Sequence, residues 1–315
     1  KTDGYGHGAV QIARLLEPVD YIWGYAVATL DEAVVLRKND IKKPILVLGC
    51  IFPDQWEAMI ENEVRMTTYT VEMAKGVSNL AVKMGKDAYI HIKLDTGMSR
   101  LGFQIHEDSV DAIEEISKMP GLKLEGMFTH FAKADETDKA YTDVQIGKYN
   151  YMRDELKKRG VTFPICHCSN SAGIIDIKKA NMDLVRAGIS IYGLYPSEEV
   201  EKKNVPLRPA MELLSHVSYV KTVPEGTPVS YGGTYVTEKE TSLATIPVGY
   251  GDGYPRSLSN KGYVLIHGKK APIRGRVCMD QFMVRLPYEM QPGAEVVIVG
   301  KQGTQTITLQ QVADQ

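Results

Sequence analysis

The sequence predicts an α/β chain: an eight-stranded (β/α)8 barrel of the TIM type, followed by a mostly β domain. Three observations carry this. Strand-like and helix-like runs alternate over the first two-thirds, and polar clusters (KLDTGMSR, THFAKADE, HCSNSAG, RAGIS) follow strand-like runs. Beyond Pro206 the segments shorten and Gly-rich turns replace the long helices. An open dinucleotide-binding sheet would show GxGxxG after an early strand, and none is well placed.

Taken in order, Ala9 to Glu17 reads as a helix, Tyr21 to Ala28 as a strand, Leu30 to Lys38 as a helix and Pro44 to Leu48 as a strand. Asp54 to Asn62 is helical, Arg65 to Thr68 a short strand, Thr70 to Met84 helical and Ala88 to Leu94 a strand. Asp108 to Lys118 is a helix, Leu122 to Thr129 a strand, Asp138 to Arg159 a helix and Phe163 to Cys168 a strand. Ile175 to Lys178, Met182 to Arg186 and Ile189 to Tyr192 close the barrel series. Six further strands follow: Leu213 to Val220, Thr227 to Tyr231, Leu243 to Pro247, Tyr263 to Ile266, Ala271 to Arg276 and Glu295 to Val299. The polar stretch at residues 197 to 209 separates the two domains, expected at 1–205 and 206–315. The motif-like opening at Lys1 and the stop at VADQ suggest that sequence is missing at both ends, including a first barrel strand.

Composition limits the function classes. The 315 residues carry 37 Lys plus Arg and 39 Asp plus Glu, a net charge of -2 that argues against a general nucleic-acid surface. No 18-residue apolar run exists, so no spanning helix is expected. The four cysteines are irregularly spaced, and CHC at 166–168 is not a metal-knuckle spacing; no metal and no disulfide framework is expected, and a reducing cytoplasm is the default.

Several segments could carry chemistry, each with a plainer alternative. KTDGYGHG at Lys1 allows close approach of backbone to an anion, with Tyr5 nearby, or is a surface loop. HIKLDTGMSRLGF sets Lys93 and Asp95 on the same strand face as His91, with Arg100 beyond. That suggests an anion or a modified lysine, or a Lys93–Asp95 ion pair at a strand end. His130 and His167 follow successive strands, and either could simply cap a loop. Ser171 with the amides of Gly188 and Ile189 would make a phosphate nest, with Arg186 facing the ring nitrogen of a bound heterocycle. Tyr250 in GYGDGYPR, with Met279 and Asp280 in GRVCMDQ, is a base only with charged or hydrogen-bonding neighbours, and otherwise a packed hairpin aromatic.

In series and in order, KTDGYGHG, HIKLDTGMSRLGF, THFAKADE, HCSNS, RAGISIYGL, VSYG, GYGDGYPR and GRVCMDQ resemble the alanine racemase family of fold-type III pyridoxal-phosphate enzymes over the whole chain. The resemblance implies pyridoxal 5'-phosphate bound covalently as an aldimine to Lys1. It places Tyr5, Ser171, Gly188 and Ile189 at the phosphate, Arg186 at the pyridine nitrogen, and His130 and His167 around it. It makes Lys1 and Tyr250 the two bases on opposite faces of the substrate, Tyr250 coming from the partner subunit of a head-to-tail homodimer with shared active sites. Met279 and Arg100 take substrate-binding positions, Asp280 lies beside Met279, and Lys93 matches a lysine carbamylated in some members. The implied reaction is interconversion of L- and D-alanine in the bacterial cytoplasm, supplying D-alanine for peptidoglycan. The partner molecules are then a small amino acid and a second copy of the chain, with neither nucleic acid nor membrane. Alternatives are a serine or broad-specificity amino-acid racemase, a decarboxylase of the same fold type, and a non-catalytic cofactor-binding protein.

Overall fold

The computed structural model describes residues 2–314. It divides into two units, the first ending at Arg208 and the second beginning at Pro209. In the first unit six parallel strands pair strictly in chain order: β1 (Tyr25–Val27), β2 (Ile45–Val47), β3 (Val64–Thr68), β4 (Ala88–Lys93), β5 (Leu122–Phe128) and β6 (Ile165–His167). Consecutive parallel strands need a crossover between each pair. Helix α1 (Ala9–Leu16) precedes β1, and the five crossovers are α2 (Leu30–Lys38), α3 (Trp56–Glu61), α4 (Val71–Met84), α5 (Glu107–Ser117) and α6 (Ala140–Lys158). A sheet wound in chain order with its helices outside is the curled α/β architecture of a β/α barrel.

Local chemistry fixes the ends. Thr29 and Thr70 cap α2 and α4 by accepting from the amides of Glu32 and Met73. Gly85 ends α4 at φ 65, a conformation that costs an L side chain energy. The strands are buried on both faces, so Ile45, Val47, Met66, Ile90 and Ile92 are almost fully enclosed. His91, Lys93 and His167 are buried on the same strands and mark the polar part of the interior.

The three last expected runs of the barrel differ from the structure. Ile175 to Lys178 lies across the end of a short helix, α7 (Ser171–Asp176), and a 3₁₀ turn. Met182 to Arg186 follows β6 through two backbone–backbone bonds, Asp183 N to Cys166 O and Arg186 N to Ser169 O, and forms no strand. Ile189 to Tyr192 is a 3₁₀ turn because its amides bond locally, Ile191 N to Gly188 O and Gly193 N to Ser190 O. A short apolar run does not distinguish strand from turn.

The second unit is antiparallel. Strands β7 (Leu213–His216), β8 (Tyr219–Val223), β9 (Pro228–Val229), β10 (Tyr235–Val236), β11 (Thr241–Ile246), β12 (Tyr263–Ile266), β13 (Lys269–Pro272), β14 (Phe282–Arg285), β15 (Glu295–Gln302) and β16 (Gln305–Ile307) precede α8 (Leu309–Ala313). One sheet has the order β14-β11-β8, and another runs β13-β12-β15-β16 with β7 also on β15. Their facing sides enclose Ile246, Val264, Ile266, Phe282, Val284 and Ile298. The expected run Leu213 to Val220 is two strands, and β14, which directly follows the motif GRVCMDQ, was not expected.

Among the described residues no helix is long and apolar enough to cross a membrane. Packing of α3 on α4 needs a glycine at position 76, where a methyl group would run into the Trp56 indole. Gly76→Ala should destabilise the protein by about 1–3 kcal/mol, read as a lower midpoint in urea denaturation.

Candidate active site

The C-terminal ends of β5 and β6 converge on Arg186. Its Nη1 donates to His167 Nδ1 at 2.6 Å and to His167 O at 3.2 Å. Its Nη2 donates to Thr129 O at 2.7 Å and Cys168 O at 2.9 Å, and lies 3.4 Å from His130 Nδ1. These four bonds use every terminal N–H, leaving Nε–H. Burial lowers the Arg186 pKa to about 10, so the group stays a cation at neutral pH. Among the described residues no carboxylate bonds to it.

A second cluster collects small donors. Ser171, the first residue of α7, is buried, and its Oγ accepts from Gly188 N at 3.0 Å and from Ser190 N at 3.3 Å, with Ser190 Oγ at 3.1 Å. A Cβ at Gly188 would stand 2.6 Å from the Tyr5 hydroxyl and 3.6 Å from Ser171 Oγ. Position 188 must therefore be glycine for the two hydroxyls and the neighbouring amides to gather. Ile189 opens the 3₁₀ turn beside them. Tyr5 packs on Tyr192 with ring centroids 5.3 Å apart, and His7 stacks on Tyr192 at 4.2 Å. Thr2, Asp3, Gly4 and Tyr5 all have positive φ, 49 to 64. This left-handed turn is costly for three non-glycine residues. Strain of this kind gathers at functional sites. Lys1 lies outside the described residues.

These groups line one cavity of about 900 Å³, shared by Tyr5, His130, His167, Ser171, Arg186 and Gly188. A buried cation near a cradle of hydroxyls and amides fits a ligand with a ring acceptor at one end and a phosphate at the other.

Lys93 ends β4, 3% exposed, with Nζ donating to Leu94 O at 2.7 Å and standing 5.4 Å from the Phe128 centroid. The ion pair considered from the sequence does not form. Asp95 Oδ1 instead accepts from the amides of Gly97, Met98 and Ser99 at 3.1, 2.9 and 3.0 Å. Burial, and then the Arg186 charge, push Lys93 down to about 8. Arg100 is exposed on the loop after β4.

The second unit gathers three motif turns. Tyr250 N and Gly251 N donate to Cys278 O at 3.0 Å and Met279 O at 2.8 Å. Gly249 permits this contact, since a Cβ there would collide with the same carbonyls. The VSYG turn joins them: Ser230 Oγ donates to Arg276 O at 2.7 Å and lies 3.4 Å from Cys278 Sγ. A shallow depression is lined by Ser230, Tyr231, Cys278, Met279, Asp280 and Gln281. Tyr231 is 70% exposed and Tyr250 43%.

Sequence reasoning therefore located the Arg186 and Ser171 groups but gave no role to Tyr231, although VSYG was a recognised motif. It also missed Glu125, which bonds to His91, and Tyr192. His91 shared a face with Lys93 in the alternation of β4, and that alternation was the available signal. Cys166 and Cys168 are buried thiols, and His167 between them bonds to Arg186 and His91.

Comparison with known proteins matches the first unit and the second to two family profiles. Residues 1–196 match the alanine racemase N-terminal domain and residues 210–315 the alanine racemase C-terminal domain. The alanine racemase of Desulforamulus reducens is 46% identical over 302 residues, covering 95% of this chain and 81% of that protein. A solved alanine racemase from Clostridium difficile 630 is 43% identical, with a TM-score of 0.92 over 99% of this chain and 81% of its own. A histidine racemase from Leuconostoc mesenteroides is similar at 32% identity, with a TM-score of 0.90 over 99% of this chain and 83% of its own.

The Lys93 environment yields a pH signature. Between pH about 8 and its unfolded value near 10.4, the unfolded lysine holds a proton that the folded one has lost, so its contribution to stability rises with pH there. The stability advantage of Lys93→Met over wild type should shrink as pH rises through that window, measured by urea denaturation at both ends.

Proposed function

The chain belongs to the alanine racemase family, and from that premise we infer how its own residues divide the work. It interconverts L- and D-alanine with pyridoxal 5'-phosphate, supplying D-alanine for peptidoglycan. When bound, the cofactor delocalises the electron pair left when the α-proton departs. In our reading Ser171 Oγ, the Tyr5 hydroxyl and the amides of Gly188 and Ile189 hold its phosphate. Arg186 presents Nε–H to the ring nitrogen, with His130 and His167 holding the guanidinium in place. A permanent cation there accepts no proton and donates without protonating the ring. The four protein bonds on Arg186 Nη1 and Nη2, beside a cradle that only glycine admits, carry this reading.

Lys1 is the residue we assign to covalent attachment of the cofactor and to proton exchange on one face. A tyrosine of the second unit, supplied by a second copy in a head-to-tail homodimer, serves the other. The sequence motifs put that role on Tyr250. We assign it instead to Tyr231, on the ground that Tyr231 shares the depression with Met279 and Asp280, whereas Tyr250 does not line it. Met279 then meets the substrate carboxylate through its backbone side of the depression, and Arg100 orients the carboxylate or the tyrosine. Lys93, low enough in pKa to be neutral in part, is suited to carbamylation and would then pair with Arg100. A cytoplasmic location accompanies this reading, in keeping with four free cysteines.

Lys1→Ala should lose both racemisation and the long-wavelength absorbance of the covalently held cofactor, and persistent absorbance in the purified variant would sink the attachment site. Tyr231→Phe should slow α-proton exchange of one alanine enantiomer far more than the other, with Tyr250→Phe affecting both alike. The reverse pattern in deuterium wash-in assays assigns the base to Tyr250. Rates with alanine, serine, lysine and histidine measure how far the substrate range extends.

A further inference from the structure

Beneath Arg186 runs a chain of polar side chains of which only His167 has been given a role so far. His167 Nε2 lies 2.9 Å from His91 Nδ1, and His91 Nε2 lies 3.0 Å from Glu125 Oε2. Glu125 in turn takes Arg65 through Nε at 3.0 Å and Nη2 at 3.2 Å. The four residues come from four adjacent strands, β3 to β6. The two imidazoles are 0% and 1% exposed, while the Glu125 and Arg65 side chains keep 16% and 13% exposure.

The donors fix every proton. A guanidinium has no acceptor, so His167 Nδ1 must accept from Arg186. The ring proton of His167 is then on Nε2 and goes to His91 Nδ1. The His91 proton is on Nε2 and goes to the Glu125 carboxylate. A second proton on either ring would set two donors face to face. Burial acts in the same direction, lowering the pKa of both histidines, although Glu125 partly offsets this at His91.

The backbone departs from regularity to build this chain. Leu124 pairs with Ile90 and Gly126 with His91, so Glu125 is an extra residue in β5. Such a bulge re-aims a side chain. Next to it, Gly126 leaves the space that the His91 ring occupies, and a methyl group there would overlap Nδ1 and Cε1. A bulge and a glycine in succession serve one hydrogen-bonded pair.

We propose that His91 and Glu125 are positioning residues for the reaction. They lock His167 as its Nε2–H tautomer, so that the Nδ1 lone pair anchors Arg186 Nη1 and leaves Arg186 Nε–H aimed at the ring nitrogen. The proposal rests on the reading of Arg186 given above. It also places the nearest bonded negative charge of the chain two imidazoles away from Arg186, so the guanidinium acts on the ring without a carboxylate at its side.

The test uses the holoenzyme with ¹⁵N-labelled histidine. Long-range proton–nitrogen spectra should show His91 and His167 both as Nε2–H tautomers, unchanged from about pH 6 to about pH 8. Glu125→Gln keeps an acceptor for His91 but removes the charge. It should lower kcat on the order of tenfold with KM within about twofold, shift the cofactor absorbance and mix the His167 tautomers. Glu125→Asp should recover part of each effect. If Glu125→Gln does not fold, His91→Gln interrupts the same chain and carries the same expectations. A wild-type His167 protonated on Nδ1, or a folded Glu125→Gln with unchanged tautomers, absorbance and kcat, overturns the proposal. Arg186→Lys separates the two readings. Unchanged absorbance in that variant defeats the role of Arg186 at the ring, whereas the histidine tautomers decide the chain independently.

Discussion

The buried Arg186 guanidinium is the constraint on which the geometry of the first unit's cavity depends. A charge removed from water is stable only when hydrogen bonds replace its solvation. Here the replacements are backbone carbonyls at the ends of two strands and one imidazole. The guanidinium therefore fastens Thr129, His167 and Cys168 to one planar group, and the strand ends fix where its remaining N–H points. The Arg186 end of the cavity is set by the sheet rather than by loop conformations. Sites placed on regular elements hold their geometry better than sites placed on loops.

Around Ser171 the logic is different. Ser171, Gly188 and Ser190 are brought together by α7 and a 3₁₀ turn whose backbone bonds are local. Tyr5 arrives on a left-handed turn that three non-glycine residues must tolerate. Rigid sheet and strained turn thus line the same cavity.

Much of this was legible in the sequence because motifs encode local geometry. Gly188 and Gly249 stand where backbone or a ligand approaches, and HCSNS and RAGIS mark the residues that meet at Arg186. Helices behind a good capping residue, such as Leu30–Lys38 after Thr29, were read to the residue. What escaped depended on contacts distant in sequence. The apolar run Ile189–Tyr192 satisfies strand and turn equally until its amides are seen to bond locally. Tyr231 and Tyr250 both sit in Gly-rich turns, and only the folding of three turns together distinguishes which lines the depression. Glu125 continues the polar–apolar alternation of LKLE, and a bulge leaves no mark in a single strand's pattern.

That bulge has a consequence for how the chain can change over time. Residue parity along β5 inverts at Glu125, so the length of the strand is tied to the identity of one side chain. Deleting Glu125 would leave a ladder of unbroken register from Leu122 to Phe128, a more regular sheet that no longer reaches Arg65 or His91. Selection for sheet regularity and selection for the buried polar chain therefore pull this position in opposite directions. Shortening β5 by one residue would cost His91 and Arg65 their shared carboxylate in a single step.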